Sequence, residues 1–204
     1  MRGDGFVFLP LLALNAALLG APAVWSGGVE AIAWGRVPLS LAILSAGMAC
    51  ELCAQSADRV LRPYSRNEER AATILNTIQG LCVLAVMQAM LVTAATTSTA
   101  MTWLTPVGIF IMAGGVALRS AAIRSLGRGF TDGFSPVEGI VVSRGPYRFL
   151  DHPAELGLLI IPLGLALVLD VCSLLPVTMP VLVVCAAMRI VSENVAIAAS
   201  RRSA

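Results

Sequence analysis

Long apolar runs are the feature that most limits how this 204-residue chain can fold. A bilayer core of about 30 Å needs roughly 20 apolar residues per helix, and several runs reach or approach that length. They are Phe6–Trp25, Val37–Ala57, Ala72–Ala95, Trp103–Ile123, Leu156–Val171 and Val177–Ala199. The fifth run is short, so it either spans the membrane or forms a tilted or re-entrant hairpin with the sixth. The prediction is an all-α, polytopic transmembrane bundle of five to six helices.

The composition also favours lipid over water as the solvent. Of all residues, 57% are apolar and 13% are charged, whereas soluble domains average about 45–50% apolar and about 25% charged. The length fits one domain, 1–204, with N-terminal helices in 1–100 and a functional core in 101–204. A net charge of +2 without a basic, aromatic stripe argues against a nucleic-acid partner. The first run is interpreted as a membrane helix, with a cleaved signal peptide as the less favoured alternative.

The basic residues predict the orientation of the bundle. All 14 are arginines, and with six spans twelve of them lie on one side. The opposite side holds only Arg36, and Arg189 lies within the last apolar run. Arginine in short loops marks the cytoplasmic face. Both termini and the long polar loop 124–151 are therefore predicted to be cytoplasmic, in a multi-pass protein of the cytoplasmic membrane.

The cysteines predict neither a disulfide framework nor a metal site. There are five, Cys50, Cys53, Cys82, Cys172 and Cys185, and all lie in or beside apolar segments. An odd number scattered in this way is better explained as small apolar residues within helices.

Polar residues in or beside apolar runs are the candidate functional groups, because their burial in a membrane is costly. His152, the only histidine, precedes Pro153, which suits the first turn of a helix. The free N–H groups at such a helix start favour an anion such as a carboxylate.

Two pairs of charged residues are spaced four apart. Arg189 and Glu193 share one helix face, and both are expected to point inward, toward each other or toward a ligand. Asp151 and Glu155 flank His152, either as stabilising acidic residues at a helix start or as a general acid or cation-stabilising group.

Three motifs resemble the isoprenylcysteine carboxyl methyltransferase family. The segment 114–131 and the lead 139–148 match its core, the Gly-Pro-Tyr and His-Pro signature matches 145–157, and the later Arg-Ile motif matches 189–194. The resemblance implies a membrane enzyme that methylates a lipophilic, isoprenoid-type acceptor with S-adenosylmethionine and without a metal. The acceptor would enter from the bilayer, and the cofactor would bind on the cytoplasmic side between the signature loop and the last helices. By the same resemblance the cofactor pocket is lined by Gly145, Pro146, Tyr147, His152, Pro153, Arg189 and Glu193.

Three substitutions relative to that family keep other functions open. Asp151 stands where the family has arginine, Glu155 where it has tyrosine, and Asn194 where it has a second glutamate. A second hypothesis is therefore a cofactor-independent, acid-catalysed terpenoid cyclase or isomerase that uses Asp151, Glu155 and Glu193. A nicotinamide-dependent reductase ranks third, and a lipid-binding scaffold is the non-enzymatic alternative. His152 and Glu193 are the leading catalytic candidates under both enzymatic hypotheses.

Overall fold

The chain folds as a helical bundle. The computed structural model describes Ala17, Ala21, Trp25 and residues 36–56, 66–97, 102–126 and 144–203. In these ranges the helices are α1 Arg36–Ser56, α2 Arg66–Thr97, α3 Leu104–Leu126, α4 Pro153–Leu169 and α5 Leu175–Ser203. Two short 3₁₀ helices, Gly145–Arg148 and Cys172–Leu174, precede α4 and α5. The described part contains no strand, which confirms the predicted all-α class.

The five helices correspond to the last five predicted apolar runs. The first run, Phe6–Trp25, lies outside the described residues except at Ala17, Ala21 and Trp25. The described residues contain three segments long and apolar enough to cross a membrane, namely Thr77–Thr96, Leu104–Leu126 and Cys172–Val191. The apolar segments Arg36–Cys50 and Pro153–Leu169 are shorter. A helix of 17 residues rises about 26 Å, slightly less than the thickness of a bilayer core.

Large apolar side chains cover the outside of the bundle. Phe110 in the second turn of α3 is 81% exposed, and Trp103 just before α3 is 80% exposed. Val177 and Val184 on α5 are also exposed. A membrane protein needs no polar outer surface because lipid replaces water around it, so this arrangement fits the predicted bundle.

The helices alternate in direction, which separates two ends of the bundle. At one end, Arg36 at the start of α1 lies 4.0 Å from Asp170, which follows α4. At the other end, side chains from the first half of α2, the start of α4 and the middle of α5 meet. The core between the ends is apolar and includes the fully buried Met90, Leu91, Met112, Leu165 and Leu169.

Glycine pairs bring α3 and α4 into close antiparallel contact. Gly108 and Gly115 on α3 are seven residues apart, as are Gly157 and Gly164 on α4. A Cβ atom added to Gly108 would lie 2.6 Å from the Val168 backbone nitrogen, and one added to Gly157 would lie 2.8 Å from the Gly115 carbonyl oxygen. Small residues at such positions let helix backbones approach each other in a membrane, where apolar burial gives little drive for association. This contact fixes the start of α4 against the end of α3.

Candidate functional site

The turn that leads into α4 is folded against the end of α3. Gly145–Arg148 forms a 3₁₀ helix, and Gly145 has a φ of 61°, a conformation that favours glycine. A Cβ atom at Gly145 would also collide with the side chain of Ser125. Arg144 Nε donates to the Ser125 carbonyl oxygen at 3.4 Å. The Gly-Pro-Tyr motif is therefore positioned by the C-terminal turn of α3.

His152 lies at the boundary between this turn and α4. It is the N-cap residue, and its side chain makes no capping hydrogen bond, while Pro153 occupies the first turn as predicted. The His152 carbonyl oxygen accepts from the Leu156 N–H at 3.1 Å. Arg119 on α3 donates from Nη1 to the Ala154 carbonyl oxygen at 3.2 Å, which ties the first turn of α4 to α3. The start of α4 is thus held in place by contacts with α3.

Three side chains from three helices form a closed ring beside the first turn of α4. Arg189 Nε on α5 lies 3.2 Å from Glu155 Oε1 on α4. Gln79 Nε2 on α2 donates to Glu155 Oε2 at 3.0 Å, and Arg189 Nη1 donates to Gln79 Oε1 at 3.3 Å. We call these three residues the Gln79–Glu155–Arg189 ring. Because the ring contains one positive and one negative charge, it is neutral.

The ring is shielded from solvent. Glu155 is 4% exposed and Gln79 is 8% exposed, and the Arg189 side chain is 13% exposed. Isolated charges are very costly in such surroundings, whereas a pair with its hydrogen bonds made is tolerated. Glu155 lies in the first turn of α4, where a stabilising acidic residue is expected from the sequence, and its two carboxylate oxygen atoms contact Arg189 and Gln79.

The remaining predicted site residues lie in the same region with different exposure. Pro153 is buried; Pro146, Tyr147 and His152 are half-buried; Gly145 and Asp151 are exposed. Glu193 lies in α5 one turn after Arg189, and its side chain is outside the described part of the structure. The structure thus brings together Glu155 and Arg189, which the sequence had assigned to two separate pairs.

Gln79 was missed by the sequence interpretation. Its signal was present, because a glutamine within the apolar run Ala72–Ala95 is a polar group that needs a partner. Gln79 was not recognised as a site residue for two reasons. Glutamine is uncharged, and the partners of Gln79 are 76 and 110 residues away in the sequence. Among the described residues, no group of three potential metal ligands comes together.

Comparison with known proteins gives one match. The model of the phospholipid methyltransferase family matches residues 103–199, the segment that contains α3, the signature turn, α4 and most of α5. No curated protein and no solved structure matches the chain. The matched segment includes Glu155 and Arg189, while Gln79 lies outside it.

Proposed function

We propose that this chain is a membrane methyltransferase that uses S-adenosylmethionine to methylate a lipophilic acceptor, because the model of the phospholipid methyltransferase family matches its residues 103–199. The family match carries this proposal. The geometry supports it, because the signature turn, the start of α4 and the middle of α5 converge at one end of the bundle.

The residues at this end fit the chemistry of the cofactor. The cofactor supplies an electrophilic methyl group on a sulfonium, together with a carboxylate and an adenine ring. The N–H groups in the first turn of α4 have no partners within their own helix, and a helix start favours a carboxylate. Tyr147 and His152 are half-buried aromatic rings beside that turn. They offer flat surfaces against which an adenine or a sulfonium can pack.

The protein's own residues contribute positioning. Methyl transfer needs the acceptor, the methyl group and the sulfonium in line, and such alignment alone can supply roughly 7–11 kcal/mol. Pro153, the Arg119 contact with Ala154 and the glycine contacts between α3 and α4 hold the start of α4 rigid. A rigid helix start of this kind presents Tyr147 and His152 in a fixed orientation.

The acceptor is proposed to be lipophilic and to enter from the bilayer. The resemblance of the signature favours an isoprenoid compound, and the family match adds phospholipids as the other class to test. Both classes keep an apolar tail in lipid while a polar head reaches the signature turn. The excess of arginine on one side further supports a cytoplasmic location for this end of the bundle.

The acid-catalysed alternative receives no specific support. It requires carboxyl groups that face a substrate, yet both oxygen atoms of Glu155 bind Arg189 and Gln79. Asp151 is exposed outside the bundle.

Calorimetric titration of S-adenosylmethionine into detergent-purified protein tests the proposal. Saturable binding is expected, and His152→Ala should weaken it by on the order of tenfold, the value of one lost contact at a cofactor. Phe110→Leu, at an exposed position of α3, serves as the control and should bind like the wild type. Failure of folded wild-type protein to bind would refute the proposal.

Transfer of labelled methyl groups then identifies the acceptor class. A prenylated thioether carboxylate and phosphatidylethanolamine vesicles are offered separately to the wild type. Label in the prenyl compound supports the isoprenoid assignment, whereas label in the phospholipid alone would replace it.

A further inference from the structure

The Gln79–Glu155–Arg189 ring joins the two halves of the chain at the proposed site. Glu155 and Arg189 lie within the segment that matches the methyltransferase family, whereas Gln79 lies on α2, before that segment. Gln79 contacts both partners at once, with its amide N–H donating to Glu155 and its amide oxygen accepting from Arg189. A glutamine is suited to this place because one side chain both donates and accepts.

We infer that Gln79 is a positioning residue of the methyl-transfer site, which it serves by fixing the Glu155–Arg189 pair between α4 and α5. The inference rests on the proposed function. Glu155 lies in the first turn of α4, two residues after Pro153, and Arg189 precedes Glu193 by one helical turn. The ring therefore sets the separation between the helix start that carries the signature and the part of α5 that carries Glu193.

The hydrogen-bonding geometry explains why the Glu155–Arg189 pair alone does not fix the orientation of the two side chains. A single contact between Arg189 and Glu155 leaves the carboxylate free to rotate about its own bonds. In the ring, each residue contacts the two others, and both carboxylate oxygen atoms of Glu155 have a partner. Buried networks of this kind gain rigidity only when every member is satisfied. Loss of Gln79 would leave the ion pair in place but less well oriented.

A second contact between α2 and α5 provides a reporter that is independent of any ligand. The side chains of Cys82 and Cys185 lie close enough to interact with each other, and both cysteines are free. Cys82 follows Gln79 by three residues and Cys185 precedes Arg189 by four, so this thiol pair lies about one helical turn from the ring. Its rate of crosslinking reports how closely the two helices are held together.

The first test compares Gln79→Leu with the matched substitution Gln88→Leu on the same helix. Nine residues separate the two positions, so they lie on opposite faces of α2. Gln79→Leu is expected to weaken S-adenosylmethionine binding by on the order of tenfold, the value of a hydrogen bond to a charged group. Gln88→Leu should bind like the wild type. Equal affinities for both variants, with a wild type that binds, would overturn the inference and leave the proposed function intact.

The second test exchanges the amide of Gln79 and the carboxylate of Glu155 between the two positions. Gln79→Glu leaves two carboxylates facing one arginine, and Glu155→Gln leaves the arginine without a counter-charge. The double variant Gln79→Glu/Glu155→Gln restores one amide, one carboxylate and one guanidinium in the same positions. It is expected to recover the binding lost in each single variant. A general loss of folding would not be rescued in this way.

The ligand-free test measures disulfide formation between Cys82 and Cys185 with diamide, in protein whose other three cysteines are alanine. Each single ring variant is expected to slow crosslinking several-fold, and the exchanged double variant is expected to restore the rate. If crosslinking is the same in all variants, or if the double variant is slower than both singles, the inference is overturned. A wild type that crosslinks in this ring-dependent manner but binds no S-adenosylmethionine would refute the proposed function while supporting the ring's role in positioning α2 and α5.

Discussion

Arg189 lies within an otherwise apolar helix, and its burial is tolerable because Glu155 and Gln79 complete its surroundings. Removal of a charge from water costs several kcal/mol, which the partner charge offsets only when the hydrogen bonds are well made. The ring meets that condition at three contacts of 3.0 to 3.3 Å. Glu155 and Arg189 therefore depend strongly on each other, whatever their net contribution to the free energy of unfolding.

This interdependence makes a prediction about single and double substitutions. Arg189→Met is expected to lower the free energy of unfolding by about 3 kcal/mol, because Glu155 then stays buried without a counter-charge. Arg189→Met/Glu155→Leu should lose less than Arg189→Met alone, because neither charge remains. Arg148→Met is the control; this exposed arginine lies 5.6 Å from the centroid of the Phe149 ring, so its loss should cost no more than about 1 kcal/mol. Unfolding titrations in detergent measure all three, and additive losses in the double variant would contradict the interpretation.

The close contact between α3 and α4 involves the backbones of two whole helices. Its two glycine pairs recur at the same seven-residue interval on both helices, so they lie along one face of each. At each of the four glycines, backbone atoms of the facing helix are among the atoms nearest to the place where a Cβ atom would be. The signature turn, which rests on the end of α3 and leads into α4, depends on this contact for its place.

Two glycines on α3 allow a direct test of that contact. Gly108→Ala is expected to destabilise the protein by about 1–3 kcal/mol, because its Cβ would meet the backbone of α4 at 2.6 Å. Gly114→Ala on the same helix has nothing within 4 Å. It should be neutral or stabilising by up to about 1 kcal/mol, since alanine favours helix more than glycine does. Thermal unfolding in detergent compares the two, and similar losses for both would argue against close backbone packing.

The whole molecule has two chemically different ends. One carries the signature turn and the Gln79–Glu155–Arg189 ring, and the other carries Arg36 beside Asp170. The six-span interpretation of the sequence predicts that the excess of arginine lies on the side of the signature turn. Arginine-rich loops remain in the cytoplasm during insertion, so the proposed site is expected to open there.

Reporter fusions in a bacterial host check this orientation. Alkaline phosphatase fused after Ser203 is expected to be inactive, and green fluorescent protein fused there is expected to fluoresce, because both would be cytoplasmic. The matched fusion after Val171, between α4 and α5, should give the opposite result. An active phosphatase after Ser203 would reverse the predicted orientation.

The sequence alone determined the helical segments and the place of the signature. Apolar runs predicted Val37–Ala57 and Trp103–Ile123, and the helices are Arg36–Ser56 and Leu104–Leu126. These elements could be predicted because the length of a membrane helix follows from local hydrophobicity. The α2 helix begins at Arg66, before the predicted Ala72, because helical hydrogen bonding continues through polar residues that a hydrophobicity criterion excludes. His152 and Pro153 likewise lie at the start of a helix, as their local chemistry predicted.

The partner of Arg189 was decided only by the tertiary structure. Its spacing from Glu193 indicated a shared helix face, but spacing along one helix cannot show which other helix packs against that face. Glu155 and Gln79 reach Arg189 from α4 and α2 because the glycine contacts and the alternating helix directions bring these elements to one end of the bundle. Charged and polar groups in lipid must find partners within the protein, and which partners they find depends on how the helices are packed.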